Sequence, residues 1–183
     1  MIPLAVTSII GGIGGAYLLL HTPAQTFLKV LPWLMLGATL LFMFGGKLAR
    51  SSEGLAHDIS TSSLVIASIF ELIVSVYGGY FGGGVGILNL AMLAAIGMTD
   101  IHAMNALKVV LGGIINGVAV VTFILKGAVV WKAGTVMILG ALVGGYLGAH
   151  YAQKLPPNWI RAFVIIVGTG MTLYFFWNAY LGH

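Results

Sequence analysis

The chain has 183 residues, 60% hydrophobic and only 7% charged, with a mean hydropathy of +1.07 and a formal net charge of +4. Soluble domains carry about 25% charged residues, so the composition excludes a soluble globular protein and predicts an integral membrane protein with membrane lipid as its surroundings. It has no cysteine, which excludes disulfides, thiol catalysis and Cys-ligated metals, and its few charges give no reason to expect nucleic acid as a partner.

A full span needs about 20 apolar residues. Residues 2–20 form the first candidate and end at the turn-prone His21-Thr22-Pro23. This start lacks a basic n-region and further spans follow, so it does not read as a cleaved signal peptide. Residues 27–46 form the second candidate, ending at Lys47 and Arg50. Residues 47–62 are the one clearly aqueous connection, with Ser51, Ser52, Glu53, His57 and Asp58. Residues 63–80 lead into a glycine run, and 87–98 are apolar but short, a half-span or one arm of a re-entrant hairpin. Thr99 or Asp100 is placed to N-cap the next helix, over 103–125. Lys126 and Lys132 bracket a turn, and 129–152 and 159–181 complete the set. The fold class is an all-α polytopic membrane protein of about five full transmembrane helices plus a glycine-broken half-helix or re-entrant segment.

Lys47 and Arg50 favour a cytoplasmic 47–62 loop by the positive-inside rule. If 87–98 returns the chain across the membrane, Lys154 and Arg161 join that side and the flanking helix pairs are inverted. If it is re-entrant, Lys126 and Lys132 join it instead.

The glycine run is the first functional signal. Gly78, Gly79, Gly82, Gly83, Gly84 and Gly86 put six glycines in nine residues. Irregular backbone at membrane depth is tolerated where protein encloses a cavity, and broken helices mark transporter binding sites. A helix starting after Gly82, Gly83, Gly84 and Gly86 presents unpaired N–H groups and the positive end of its dipole, which suits an anion. The alternative role is to allow tight helix crossings. No Gly-Lys-Ser/Thr follows, so the run is not a nucleotide loop.

The second signal lies on the helix over 103–125. Asn105, Lys108, Gly112 and Asn116 recur at spacings of three and four, on one face, with His102 at its edge. A lysine inside a span is costly and usually functional, although a side chain this near the helix start can also snorkel to the interface. Asn105 and Asn116 serve equally as helix-to-helix hydrogen-bonders. Glu71 is a proton-coupling carboxylate or a residue paired with a neighbouring helix; His102 is the second candidate for proton coupling. Gly140, Gly144, Gly145 and Gly148 form a small-xxx-small pattern suited to packing, and His150 beside them to hydrogen bonding. The five histidines lack ligand spacing and no Ser-His-Asp set is visible, so no enzyme, metal or cofactor is expected.

Residues 1–42 also align without a gap on 134–175. Nine of 42 pairs are identical, including Gly11, Gly12, Gly15 and Ala16 with Gly144, Gly145, Gly148 and Ala149, and Pro23 with Pro156. The predicted organisation is therefore the last two helices of a first repeat (1–46), an aqueous loop (47–62) and a complete second repeat (63–183). A first-repeat partner of the glycine run would lie upstream of Met1. Either the chain is an N-terminally short transporter, or it completes its site as a homo-oligomer or with a partner supplying that motif.

The pattern from Tyr77 onward resembles the sulfite exporter TauE/SafE family. It comprises the run Gly78 to Gly86, Asn105-Ala106-Leu107-Lys108 with Asn116, the stretch Lys126-Gly127-Ala128-Val129-Val130-Trp131, the glycine-spaced helix, and Ile160-Arg161. The chain lacks the family's first-half glycine motif, and a proline common in some members' motif is absent around Gly83 and Gly84. The resemblance implies duplicated halves, residence in a prokaryotic cell (inner) membrane, and transport of sulfite, sulfonates or related sulfur-containing anions. A secondary transporter or permease is the leading reading; a non-transporting subunit and a passive anion channel are the alternatives.

Overall fold

The computed structural model describes residues 2–51, 61–152 and 154–181. The 47–62 connection falls mostly outside this set. The elements are α1 (Ile2–His21), α2 (Ala24–Ser51), α3 (Thr61–Tyr80), α4 (Val85–Ala95), α5 (Ile101–Leu125), α6 (Trp131–Ala152) and α7 (Pro157–Phe176), closed by a π-helical turn at Trp177–Leu181. Six helices are long and apolar enough to cross a membrane, which corrects the expectation of about five. They are the six full-length segments read from the sequence, 2–20, 27–46, 63–80, 103–125, 129–152 and 159–181, one more than that total allowed. At 11 residues, α4 is about 16 Å long and is the half-helix.

Helix ends follow their sequence signals. Asp100 caps α5, its side chain accepting from the N–H groups of His102 and Ala103 at 2.9 and 3.3 Å. Pro157 opens α7 at its first position, where the missing N–H costs nothing.

The bundle is built on a close crossing of α1 and α3. These run parallel, with Ser8 beside Glu71 and Gly11 beside Ser75. A Cβ on Gly15 would collide with the Val76 carbonyl, and one on Gly79 with the Gly12 carbonyl. The glycines thus let two backbones touch, the close approach that drives helix association in lipid. α4 folds back antiparallel to α3, and α5 packs on both. Two apolar clusters fill the interior. One joins Leu4, Ala67, Met92, Leu93, Met104 and Leu111; the other joins Val74, Val85 and Ile115.

α2 and α7 form a second, antiparallel seam. The Arg161 guanidinium donates to the Met43 carbonyl at 2.6 Å, Trp33 Nε1 donates to the Tyr180 hydroxyl at 3.1 Å, and that hydroxyl donates to the Lys29 carbonyl. The start of α7 therefore lies at the same end of the molecule as the end of α2. Because α4 turns the chain back, α5 starts at the end where α3 starts. Lys154 and Arg161 consequently share a side with the C-terminal end of α2, and Lys126 and Lys132 lie opposite.

α6 stands clear of the other helices. Its described side chains are exposed but for Gly134, and Gly140, Gly144, Gly145 and Gly148 meet no atom within 4 Å. Among the described residues the packing expected of these glycines is not made.

Candidate functional site: a broken helix facing a lysine

The α3–α4 hairpin has its tip at residues 81–84, deep in the bundle. Gly78 packs on Ile115 and Gly82 lies by Asn116, so the tip sits well past the midpoint of α5. Gly82 and Gly84 have φ of +81° and +80°, a left-handed conformation open to glycine at little cost. It reverses the chain within four residues. The Tyr77 hydroxyl donates to the Gly83 carbonyl at 2.6 Å and fixes the turn from α3. On the other side Gly83 and Gly84 rest against Ala38 of α2.

Gly84 caps α4 without a side-chain bond. Its carbonyl accepts from Ile87 at 2.9 Å and Leu88 at 3.3 Å. Among the described residues the N–H groups of Gly83, Gly84, Val85 and Gly86 find no backbone or side-chain acceptor. Consecutive N–H groups around a left-handed residue form an anion-binding concavity, reinforced here by the start of a helix. A cavity of about 190 Å³ opens beside Gly84, between α2, α4 and α7, with Thr39 and Gly168 on its wall.

α5 passes alongside. The Lys108 stem lies on Gly86, whose added Cβ would sit 3.2 Å from Lys108 Cδ. The ammonium turns back to donate to Asn105 Oδ1 at 2.9 Å, one turn nearer the helix start, the direction in which helical side chains lean. Asn116 Nδ2 donates to the Gly112 carbonyl at 2.9 Å. Its Oδ1 lies 3.9 Å from a Cβ position on Gly82. Gly112 and Gly113 meet no neighbour and Asn116 is exposed, so this flank of the break is open.

The geometry thus sets Asn116 beside Gly82 and the Lys108 stem beside Gly86, with Gly83 and Gly84 between them; Asn105 holds the ammonium, about 16 Å along α5 from Asn116. It does not bring in the two proton candidates. His102 is exposed in the first turn of α5, about 20 Å along the axis from Asn116. Glu71 is fully buried and bonded to Ser8 and Ser75. Sequence reasoning missed Tyr77, Ala38 and Asn89. Only Asn89 carried a signal, as the one amide in an apolar half-helix; the other two matter through contacts that need the fold. Metal chemistry has no obvious seat: among the described residues no three His, Cys, Asp or Glu side chains gather.

Comparison with known proteins places this geometry in a family. The chain is 31% identical over 164 residues to a Haemophilus influenzae protein named "Probable membrane transporter protein", covering 89% of this chain and 62% of the relative. It is 27% identical over 179 residues to "Probable membrane transporter protein ORF9" of a Sinorhizobium species, covering 94% and 64%. It is 27% identical over 164 residues to "Probable membrane transporter protein YfcA" of Escherichia coli K12, covering 89% and 59%. The chain therefore spans under two thirds of the length of these relatives. No solved structure matches it. The family model described as "Sulfite exporter TauE/SafE" matches residues 1–175. With six membrane-length helices and a half-helix broken by glycines, the chain belongs to the sulfite exporter TauE/SafE family of integral membrane proteins.

Proposed function

We propose that this chain carries the anion site of a secondary transporter for a small anion: sulfite, a sulfonate or a related sulfur-containing anion. One observation carries the reading. Among the described residues four consecutive N–H groups, Gly83 to Gly86, find no acceptor, and the Lys108 side chain lies across the last of them. An oxyanion there accepts from the N–H groups and draws the ammonium off Asn105. Asn116 flanks the Gly82 end of the N–H run, Asn105 is the seat the ammonium leaves, and a rocking motion of the helix pairs alternates access. Lys154, Arg161 and the end of α2 face the cytoplasm of a prokaryotic inner membrane in this reading, by the positive-inside rule.

The test is uptake into liposomes holding the purified chain, with sulfite and sulfoacetate as solutes. Saturable uptake lost in Lys108→Ala supports the reading. Equal uptake by that variant overturns the site, and flux that never saturates identifies a passive channel.

A second reading, favoured by the bareness of α6, is that a partner completes the site. Thr39 and Thr172, equivalent in the 134-on-1 alignment, make the same bond to the carbonyl four residues back, at 2.8 and 2.7 Å. Thr22, Thr122 and Thr135 make the same bond, so the relation between the α1–α2 and α6–α7 pairs rests on the shared glycine and proline positions alone. In α1 the glycines seat α3; their counterparts in α6 seat nothing in this chain. A helix hairpin equivalent to α3–α4 would fit there, from a second polypeptide or a preceding segment. No flux from the purified chain, with flux restored by co-purified partner, favours this reading.

A further inference from the structure

The interior holds a polar layer that the anion site does not use. Glu71 and Asn89 are both completely buried. Glu71 lies one turn from Ala67 in the first apolar cluster and one turn from Val74 in the second. Asn89 stands in the same way between Val85 and Met92. The two therefore occupy one level of the α3–α4 hairpin, between two apolar clusters. Ser8 on α1 and Ser75 on α3 both donate to Glu71 Oε1, at 2.6 and 3.3 Å. Among the described residues Glu71 Oε2 and both amide atoms of Asn89 have no partner.

A buried carboxylate left charged and unpaired costs several kcal/mol, so something must neutralise it. The titratable and charged groups on the elements around it do not. On α1 these are Tyr17 and His21, more than two turns past Ser8. On α3 they are Tyr77, bonded to the Gly83 carbonyl, and Tyr80. α4 has none. On α5 they are His102, exposed, and Lys108, bonded to Asn105. A sodium ion would find only side-chain oxygens here, those of Glu71, Ser8, Ser75 and Asn89. Both hydroxyls already donate to Oε1, and α1 and α3 are continuous at Ser8 and Glu71, so no unwound backbone carbonyl of the kind transporters use joins them.

We propose that Glu71 is a proton-binding site. One proton passes from water to Oε2 and later leaves it, with no other bond changed. Loaded, Oε2 becomes a donor and the acceptor at its level is Asn89 Oδ1; unloaded, it is an acceptor and the donor there is Asn89 Nδ2, so the amide turns over with the proton and α4 moves with it. Asn89 is one turn beyond Gly86, so the same movement shifts the unpaired N–H groups. On the anion-transport reading above, the proton is then the coupling ion. The proton site itself does not depend on that reading.

Infrared difference spectroscopy of the full chain in liposomes, between mildly acidic and mildly alkaline buffer, tests it. The expected result is a carboxylic-acid C=O band that titrates, shifts in D₂O, ignores sodium and disappears in Glu71→Gln. Ser8→Ala and Asn89→Leu keep the carboxyl and should move the band, so the test survives misfolding of the glutamine variant. With sulfite as solute, an imposed pH gradient should drive accumulation in the wild type and only equilibration in Glu71→Gln. The proton site is overturned if no band depends on Glu71, if the band is present but never titrates, or if sodium replaces it; sulfite accumulation by Glu71→Gln under the gradient overturns Glu71 as the coupling group. A wild type that moves no sulfite overturns the anion reading and leaves the infrared band to decide the proton site.

Discussion

Gly86 is the bed on which Lys108 lies: a Cβ there would stand 3.2 Å from Cδ and 3.5 Å from Cγ of the lysine. Gly86→Val should lift the stem and misplace the ammonium without removing it. Lys108→Met removes the charge and keeps the stem. A charge-assisted hydrogen bond is worth about 1.5–3 kcal/mol, so Lys108→Met should raise the half-saturating sulfite concentration roughly ten- to hundredfold. Gly86→Val should produce a smaller rise, and concentration-dependent uptake measures both.

Gly84 isolates the backbone effect. It has room for a Cβ, with its nearest neighbour at 3.7 Å, but its φ is +80°. Gly84→Ala should cost about 1–2 kcal/mol from the left-handed conformation alone, while Gly84→Asn should cost less, because its short polar side chain tolerates that region. Thermal unfolding in detergent should rank wild type above asparagine and asparagine above alanine.

The α1–α3 crossing and the face of α6 should respond in opposite ways to the same change. Gly15→Ala forces a methyl into the Val76 carbonyl, and such overpacking typically costs about 1–3 kcal/mol. Gly148→Ala meets nothing and should raise the isolated chain's melting temperature slightly, because alanine is the better helix former. If the α6 face is filled by a partner helix, Gly148→Ala should instead weaken co-purification.

Tyr77→Phe removes the hydroxyl held on the Gly83 carbonyl at 2.6 Å. A typical hydrogen bond contributes about 0.5–1.5 kcal/mol, so the loss should be modest in global stability but local in effect. Hydrogen exchange at residues 81–86 should quicken while α1 and α5 stay protected.

The helices were legible because each signal was local. Apolar length gave the spans, Pro23 and Pro156 their turns, and Asp100 the start of α5. The glycine run told of a break in the same way, since no unbroken span tolerates Gly82 to Gly86 without a reason. The stripe of Asn105, Lys108 and Asn116 followed from helical periodicity, and α5 does present it beside the break. Depth and partnership were not legible. Glu71 looked equally suited to an interface or a coupling role until Ser8, 63 residues away, proved to be its neighbour. Asn89 passed unremarked because its importance lies in being unpartnered, which only packing reveals. The direction of the Lys108 ammonium, toward Asn105 and away from the N–H groups, is likewise a matter of rotamer and not of spacing.

α2 touches the site and the seam with adjacent residues. Ala38 supports Gly83 and Gly84, and Thr39, the next residue, crowds Gly168 of α7 so closely that a Cβ there would stand 2.8 Å from Oγ1. Neighbouring positions on a helix lie about a quarter-turn apart. If α2 rolls about its axis, it withdraws its support from the glycine tip and releases its grip on α7 in one stroke. The cavity beside Gly84 has α2 and α7 for two of its walls, so such a roll would reshape both together.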